Sequence, residues 1–167
     1  MRFNVSKLLF ERSGSSREFE VREQLQVYGA PASQFFEGAV SLRRTDRGIW
    51  ATTKLETQSI LPCSRCLKEY SQVVSLDFDE EFFTMVTSED GKQLPRPTYR
   101  QESRMINDDN TLDLGDVVRQ YYSLGLPMKP LCQMSCQGIC SICGSDRNES
   151  DCKCSGKIGD LRLKLVM

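Results

Sequence analysis

The sequence predicts an α+β protein. Antiparallel strands form a curved sheet or partial barrel, one helix packs on it, and a Cys-rich zinc-binding lobe closes the C-terminal end. Three observations carry this. Apolar residues alternate with a period of two through most of the first half, as in strands with one buried face. One stretch near residue 114 switches to a helical period. The chain of 167 residues has eight cysteines and no histidine, and six of the cysteines crowd into its last third.

The elements follow in order. Phe19, Val21, Leu25 and Val27 fall on odd positions with polar residues between them, which predicts a first strand over 17–27. Val40 and Leu42 continue the pattern up to Arg43 and Arg44. After the turn signal Asp46-Arg47-Gly48, Ile49, Ala51, Thr53 and Leu55 alternate again. Val74, Leu76, Phe78 and Phe82 form a further series, interrupted by Glu80. Ser13-Gly14-Ser15-Ser16 reads as a turn, and residues 86–110, with Pro95 and Pro97, as a polar loop. Leu114, Val117, Val118, Tyr121 and Tyr122 make an i, i+3, i+4, i+7, i+8 stripe, so a core-facing helix is expected at about 113–125. Asp113 caps its start, Asp116 puts negative charge in the first turn, and Gly125 with Pro127 ends it. The predicted organisation is a sheet domain over 1–126 and a cysteine-rich lobe over 127–167. Lys157 to Met167 fits a strand or a helix, since Leu161, Leu163 and Leu165 alternate while Leu161 and Leu165 also share a helix face.

Composition narrows the chemistry. Lys and Arg total 22 against 23 Asp and Glu, so the formal charge is −1 and a strongly basic nucleic-acid binder is excluded. Residues 1–70 are net +3, 71–126 net −6 and 127–167 net +2. Without histidine there is no Ser-His-Asp or Cys-His catalysis, no two-His-one-carboxylate iron site and no His-ligated zinc. There is no P-loop and no GxGxxG. Asp79, Glu80 and Glu81 are adjacent in a strand and cannot share one cleft; they read as a solvated edge. No enzyme activity and no small-molecule substrate are expected. The apolar stretch near Leu8 is too short for a signal peptide, and no run reaches a membrane span of about 18 residues. The expectation is a cytoplasmic protein with reduced thiols and no membrane association, rather than a secreted one with four disulfides.

The cysteines are then metal ligands. Cys63-Ser64-Arg65-Cys66 lies between two strands, where a CxxC turn supplies half of a tetrahedral zinc site. A thioredoxin-type redox pair would instead open a helix in a βαβ unit, and the flanks here are β on both sides. The other six run Cys132-x3-Cys136-x3-Cys140-x2-Cys143-x8-Cys152-x-Cys154. Eight thiolates divide into two four-ligand sites, which predicts two structural zinc ions. The local set Cys140, Cys143, Cys152 and Cys154 leaves Cys63 and Cys66 to meet Cys132 and Cys136. The alternative joins the two CxxC knuckles, Cys63/Cys66 with Cys140/Cys143, as in a zinc ribbon. Cys136-x3-Cys140-x2-Cys143 also has the spacing of radical S-adenosylmethionine enzymes, but too little chain follows it for their barrel. An iron–sulfur or redox protein stays open, since four cysteines suit either metal.

Three stretches together resemble a known family. They are Cys63-x-Arg65-Cys66; Leu112-Asp113-Leu114 leading through the helix to Leu126-Pro127-Met128-Lys129-Pro130-Leu131-Cys132; and Cys136-Gln137-Gly138-Ile139-Cys140-x2-Cys143-Gly144 with Asp146, Asn148, Cys152 and Cys154. They resemble the YceD family, the large ribosomal RNA subunit accumulation proteins. Some members resemble it in keeping the first CxRC and, as Cys or His, the Cys132/Cys136 region while lacking the later cysteines, in line with two separable sites. The sequence departs from the pattern at Asp160-Leu161-Arg162 and at Arg147. The resemblance implies a non-enzymatic factor in accumulation or maturation of the large-subunit ribosomal RNA, with that RNA or an assembly intermediate as partner.

Arg65, Lys68, Lys129, Lys153 and Lys157 lie beside the cysteines. They are candidate RNA-phosphate contacts, or they compensate the −2 charge of each zinc–thiolate centre. Arg43, Arg44 and Arg47 form a second basic group at a hairpin end, which reads equally as a further contact patch or as a solvated turn. The rival to RNA contact is an adaptor whose acidic segment 71–126 faces a basic ribosomal protein.

Overall fold

The computed structural model describes residues 1–28, 33–84, 104–150 and 152–154. The elements are β1 (Arg2–Asn4), α1 (Ser6–Phe10), β2 (Ser16–Leu25), β3 (Gln34–Arg44), β4 (Gly48–Pro62), β5 (Glu69–Phe83), β6 (Thr111–Asp113) and α2 (Gly115–Gly125). Two compact units emerge. The first is Met1–Ser59 with Gln72–Leu126, and the second is Ile60–Ser71 with Pro127–Met167. Lys157, the segment 157–167 and residues 86–103 of the expected polar loop lie outside the described residues.

In the first unit the strands order as β2-β3-β4-β5, and β1 pairs with β6 in a separate two-stranded ribbon. The β2–β3 and β3–β4 pairs are antiparallel, with Val21 opposite Gly38 and Leu42 opposite Ala51. The alternation seen in the sequence therefore delivers one apolar face. Val21, Leu25, Phe36, Val40, Leu42, Ile49, Ala51, Leu55, Val74, Leu76, Phe78 and Phe82 are all buried in one cluster. Val117, Val118 and Tyr122 bring the stripe of α2 into the same core. The Tyr122 ring meets Phe36 edge-on at 6.0 Å, and its hydroxyl lies 2.9 Å from the Ser59 hydroxyl. That pairing satisfies both hydroxyls where water is excluded.

The α+β expectation holds, with particulars to add. β4 and β5 span 15 residues each, far longer than the short strands expected. The helix begins at Gly115, and Asp113 stands just before its N-cap Leu114. The Asp113 carboxylate accepts the Gly115 N–H at 2.8 Å and pairs with Arg2 at 3.0 Å. Burial works against its charge. The Gly115 N–H, Arg2 and the chain's amino terminus outweigh that and hold its carboxyl below the usual range.

Two groups of charged residues differ from the sequence reading. Arg44 is buried, not part of a solvated turn, and donates to the carbonyls of Leu9 at 3.2 Å and Gly48 at 2.9 Å. Glu80 is partly buried, not on a solvated edge; it accepts from Arg104 at 2.7 Å and from the Tyr121 hydroxyl at 3.0 Å. Among the described residues, no helix is long and apolar enough to cross a membrane.

Candidate metal centres

The second unit is built on turns. Cys63 and Cys66 occupy the connection from β4 to β5, where the Leu67 N–H donates to the Cys63 carbonyl at 3.0 Å. Cys140 and Cys143 repeat this turn, with the Gly144 N–H donating to the Cys140 carbonyl at 2.8 Å. The residue after each second cysteine is left-handed: φ is +61° at Leu67 and +72° at Gly144. In both turns a backbone N–H two residues on donates to the first sulfur, from Arg65 to Cys63 Sγ at 3.4 Å and from Ile142 to Cys140 Sγ at 3.5 Å. These donors stabilise negative charge on sulfur.

All eight cysteines are free and fall into two groups. Cys63, Cys66, Cys132 and Cys136 form one; Cys140, Cys143, Cys152 and Cys154 form the other. Within each group the sulfurs lie within 4.8 Å of one another. This is the division favoured by the local spacing, and the ribbon-like pairing of the two CxxC turns is not adopted. A tetrahedral centre with zinc–sulfur bonds of about 2.3 Å sets its sulfurs about 3.8 Å apart. The first group shows 3.8 Å between Cys63 and Cys136 and 3.7 Å between Cys66 and Cys132. The second is tighter, at 3.5 Å between Cys143 and Cys152 and 3.3 Å between Cys140 and Cys152. The donor set and its spacing fit a thiophilic metal ion.

The electrostatics agree. The N–H of Cys66, then that of Cys132, lowers the Cys63 thiol to about 6. Loss of solvent, then the neighbouring Cys66, Cys136 and Cys63, pushes Cys132 up to about 12. In the second group the Ser145 hydroxyl lowers Cys143 to about 6, while Cys152 and Cys143 push Cys154 up to about 12. Each tetrad thus holds one thiol that ionises readily and one that resists, the latter through loss of solvent at Cys132 and neighbouring sulfurs at Cys154.

The sites differ in enclosure. Cys63, Cys66 and Cys136 are buried and pack against Tyr70 and Leu131, whereas in the second group only Cys140 is buried. Between them runs a hairpin in which Ile139 bridges Asp146 and the Arg147 N–H donates to the Gly138 carbonyl at 2.9 Å. Gly138 has φ +74°, and a Cβ there would lie 2.9 Å from the Arg65 carbonyl oxygen.

The basic candidates have varied surroundings. Arg65 donates to the Cys136 carbonyl at 2.7 Å, and Lys68 pairs with Asp146 at 2.8 Å and with Glu149. Lys129 and Lys153 are exposed. The sequence reading assigned no role to Asn148. Its amide donates to Cys136 Sγ at 3.5 Å while its carbonyl oxygen accepts the Gln137 N–H at 2.8 Å. The only signal was its place in the Asp146-x-Asn148 motif.

Sheet, helix and two all-cysteine tetrads define a class: a small α+β protein carrying two four-cysteine groups that could each hold a metal ion. Residues 51–165, well over half the chain, match the family described as "Large ribosomal RNA subunit accumulation protein YceD". The chain belongs to the YceD family. No curated protein and no solved structure gives a match.

Proposed function

We propose that the chain is a non-enzymatic, zinc-stapled cytoplasmic factor supporting accumulation or maturation of large-subunit ribosomal RNA. The observation that carries the structural role of the metal is the all-thiolate composition of both tetrads. Four protein ligands close a zinc centre, so no position remains for a catalytic water. Zinc, when bound, supplies a cross-link among distant segments. The chain's residues set its position: backbone N–H groups steady the thiolates, and Arg65 and Lys68 brace the first turn. Direct RNA contact would then fall to the exposed Lys129 and Lys153 and to Lys157. The test combines metal analysis with complementation. Two zinc ions per chain, no visible absorption, and loss of rRNA rescue on Cys63→Ser/Cys66→Ser are expected. A coloured iron-containing protein, or full rescue by that variant, would overturn the reading.

A second reading, an adaptor for a ribosomal protein without RNA contact, is favoured by the outer face of the sheet. Register sets Glu37 directly opposite Glu56, a like-charge pair that disfavours the bare sheet. A groove of about 720 Å³ crosses this face, lined by Gly38 and Ala39, by Glu20, Glu37, Glu56 and Asp77, and by Arg22 and Lys54, the last paired with Asp77 at 3.8 Å, which leaves a net acidic lining. A basic extended segment complements it. Titration with large-subunit rRNA fragments across a salt series separates the readings. Direct contact gives affinity that falls steeply with salt. An adaptor gives no RNA affinity and binds Lys/Arg-rich peptides, with loss of that binding on Glu37→Gln/Glu56→Gln.

A further inference from the structure

We propose that the hairpin 136–148 couples the two tetrads, so that metal in the Cys140/Cys143/Cys152/Cys154 site raises the affinity of the Cys63/Cys66/Cys132/Cys136 site, with Asn148 as the positioning residue. The inference rests on the metal-binding reading above and goes beyond it. The hairpin has a ligand of one tetrad at its base and two ligands of the other at its tip. At the tip, the Cys140 N–H donates to the Ser145 carbonyl at 2.8 Å, which closes the turn that holds Cys140 and Cys143. At the base, Asn148 stands across from Gln137 and reaches Cys136 Sγ at 3.5 Å. One run of hydrogen bonds therefore joins both sites.

The returning limb carries two of the side chains that brace the first tetrad, Asp146 and Asn148. Asp146 orients Asn148, accepting its backbone N–H at 2.8 Å and its side-chain amide at 2.6 Å. The other oxygen of Asp146 holds Lys68, two residues from Cys66, at 2.8 Å. The outgoing strand meets the first cysteine turn directly, with the Ile139 N–H donating to the Arg65 carbonyl at 3.1 Å. Cys152 follows the returning limb, so a metal drawing Cys152 and Cys154 onto Cys140 and Cys143 fixes the return path. A fixed return path holds the Asn148 amide on the Cys136 sulfur. Outer partners of this kind typically change metal affinity 10–100-fold. By linkage, occupancy of the first site strengthens the second by the same factor.

The experiment is a metal titration of the full chain with Cd²⁺, using chelator competition and ¹¹³Cd NMR. Cys152→Ser/Cys154→Ser removes the second site; the first should then bind about 10-fold or more weakly. Asn148→Asp keeps the acceptor for Gln137, removes the donor to Cys136 and sets a negative charge beside Asp146 and the Cys136 sulfur. It should weaken the first site and shift that site's ¹¹³Cd resonance, an effect that simple loosening of the fold would not give. Adding Asn148→Asp to Cys152→Ser/Cys154→Ser should then weaken the first site by less than it does in the intact chain. Unchanged first-site affinity in Cys152→Ser/Cys154→Ser, or an unmoved resonance in Asn148→Asp, overturns the coupling while leaving the metal reading intact. Failure of the wild-type chain to bind cadmium overturns both.

Discussion

Leu67 shows what one residue tolerates for the sake of a site. It stands at φ +61°, where Gly144 stands in the second turn at +72°. A side chain in this region costs about 1–2 kcal/mol relative to a right-handed conformation. Glycine relieves that strain but loses more freedom on folding. Leu67→Gly should therefore stabilise the second unit by a net of about 0.5–1 kcal/mol, read from its thermal melt in the metal-loaded chain. A loss of stability would mean that exposed Leu67 makes a contact worth more than its strain. Gly138 is the opposite case at φ +74°, because a Cβ there meets the Arg65 carbonyl oxygen at 2.9 Å. Gly138→Ala should destabilise the same unit by about 1–3 kcal/mol, and an unchanged melt would show that the hairpin can shift away from the first turn.

At the scale of elements, the two tetrads should part with their metal in order. Three of the four cysteines of the first are buried, but only Cys140 of the second. A slow chelator or a thiol-oxidising reagent should thus release metal in two phases, the second site first. Mass spectrometry after partial alkylation would identify Cys143, Cys152 and Cys154 as the early targets, and early labelling of Cys63 would reverse the order. These turns were legible in the sequence because a cysteine spacing states its own geometry. β2–β5 and α2 were legible for a similar reason, each holding several periods of its pattern. β1, α1 and β6 were not, since segments of three to five residues hold too few periods to register. Arg44 and Glu80 were misread because their partners, Leu9 and Arg104, lie far along the chain. Local sequence marks such residues only as charged, and burial is decided by what folds over them. The same holds for Asn148, whose sulfur partner lies 12 positions back across a hairpin.

The whole molecule joins two units with different sources of cohesion. Among the described residues, the first closes on 23 buried apolar side chains, whereas the cluster in the second consists of three cysteines with Tyr70 and Leu131 beside them. If the proposed metal ions are structural, the described part of the second unit, with so few buried apolar side chains, should depend on them to offset its chain entropy. Chelation should therefore abolish hydrogen-exchange protection at Cys136, Gly144 and Arg147 while sparing the β2–β4 ladder. Persistent protection at those three amides after verified metal removal would refute a structural role for the metal. Acid should act on the first unit by a separate route. The carboxyl of Asp113 titrates below its ordinary range in the folded state, so it binds a proton more readily when unfolded. Its contribution is complete above the ordinary carboxylate range and is lost as the pH falls through the lowered value. The difference in melting temperature between wild type and Asp113→Asn should accordingly be largest near neutrality and shrink in acid. A difference independent of pH would assign the effect of Asp113 to packing and hydrogen bonding rather than charge.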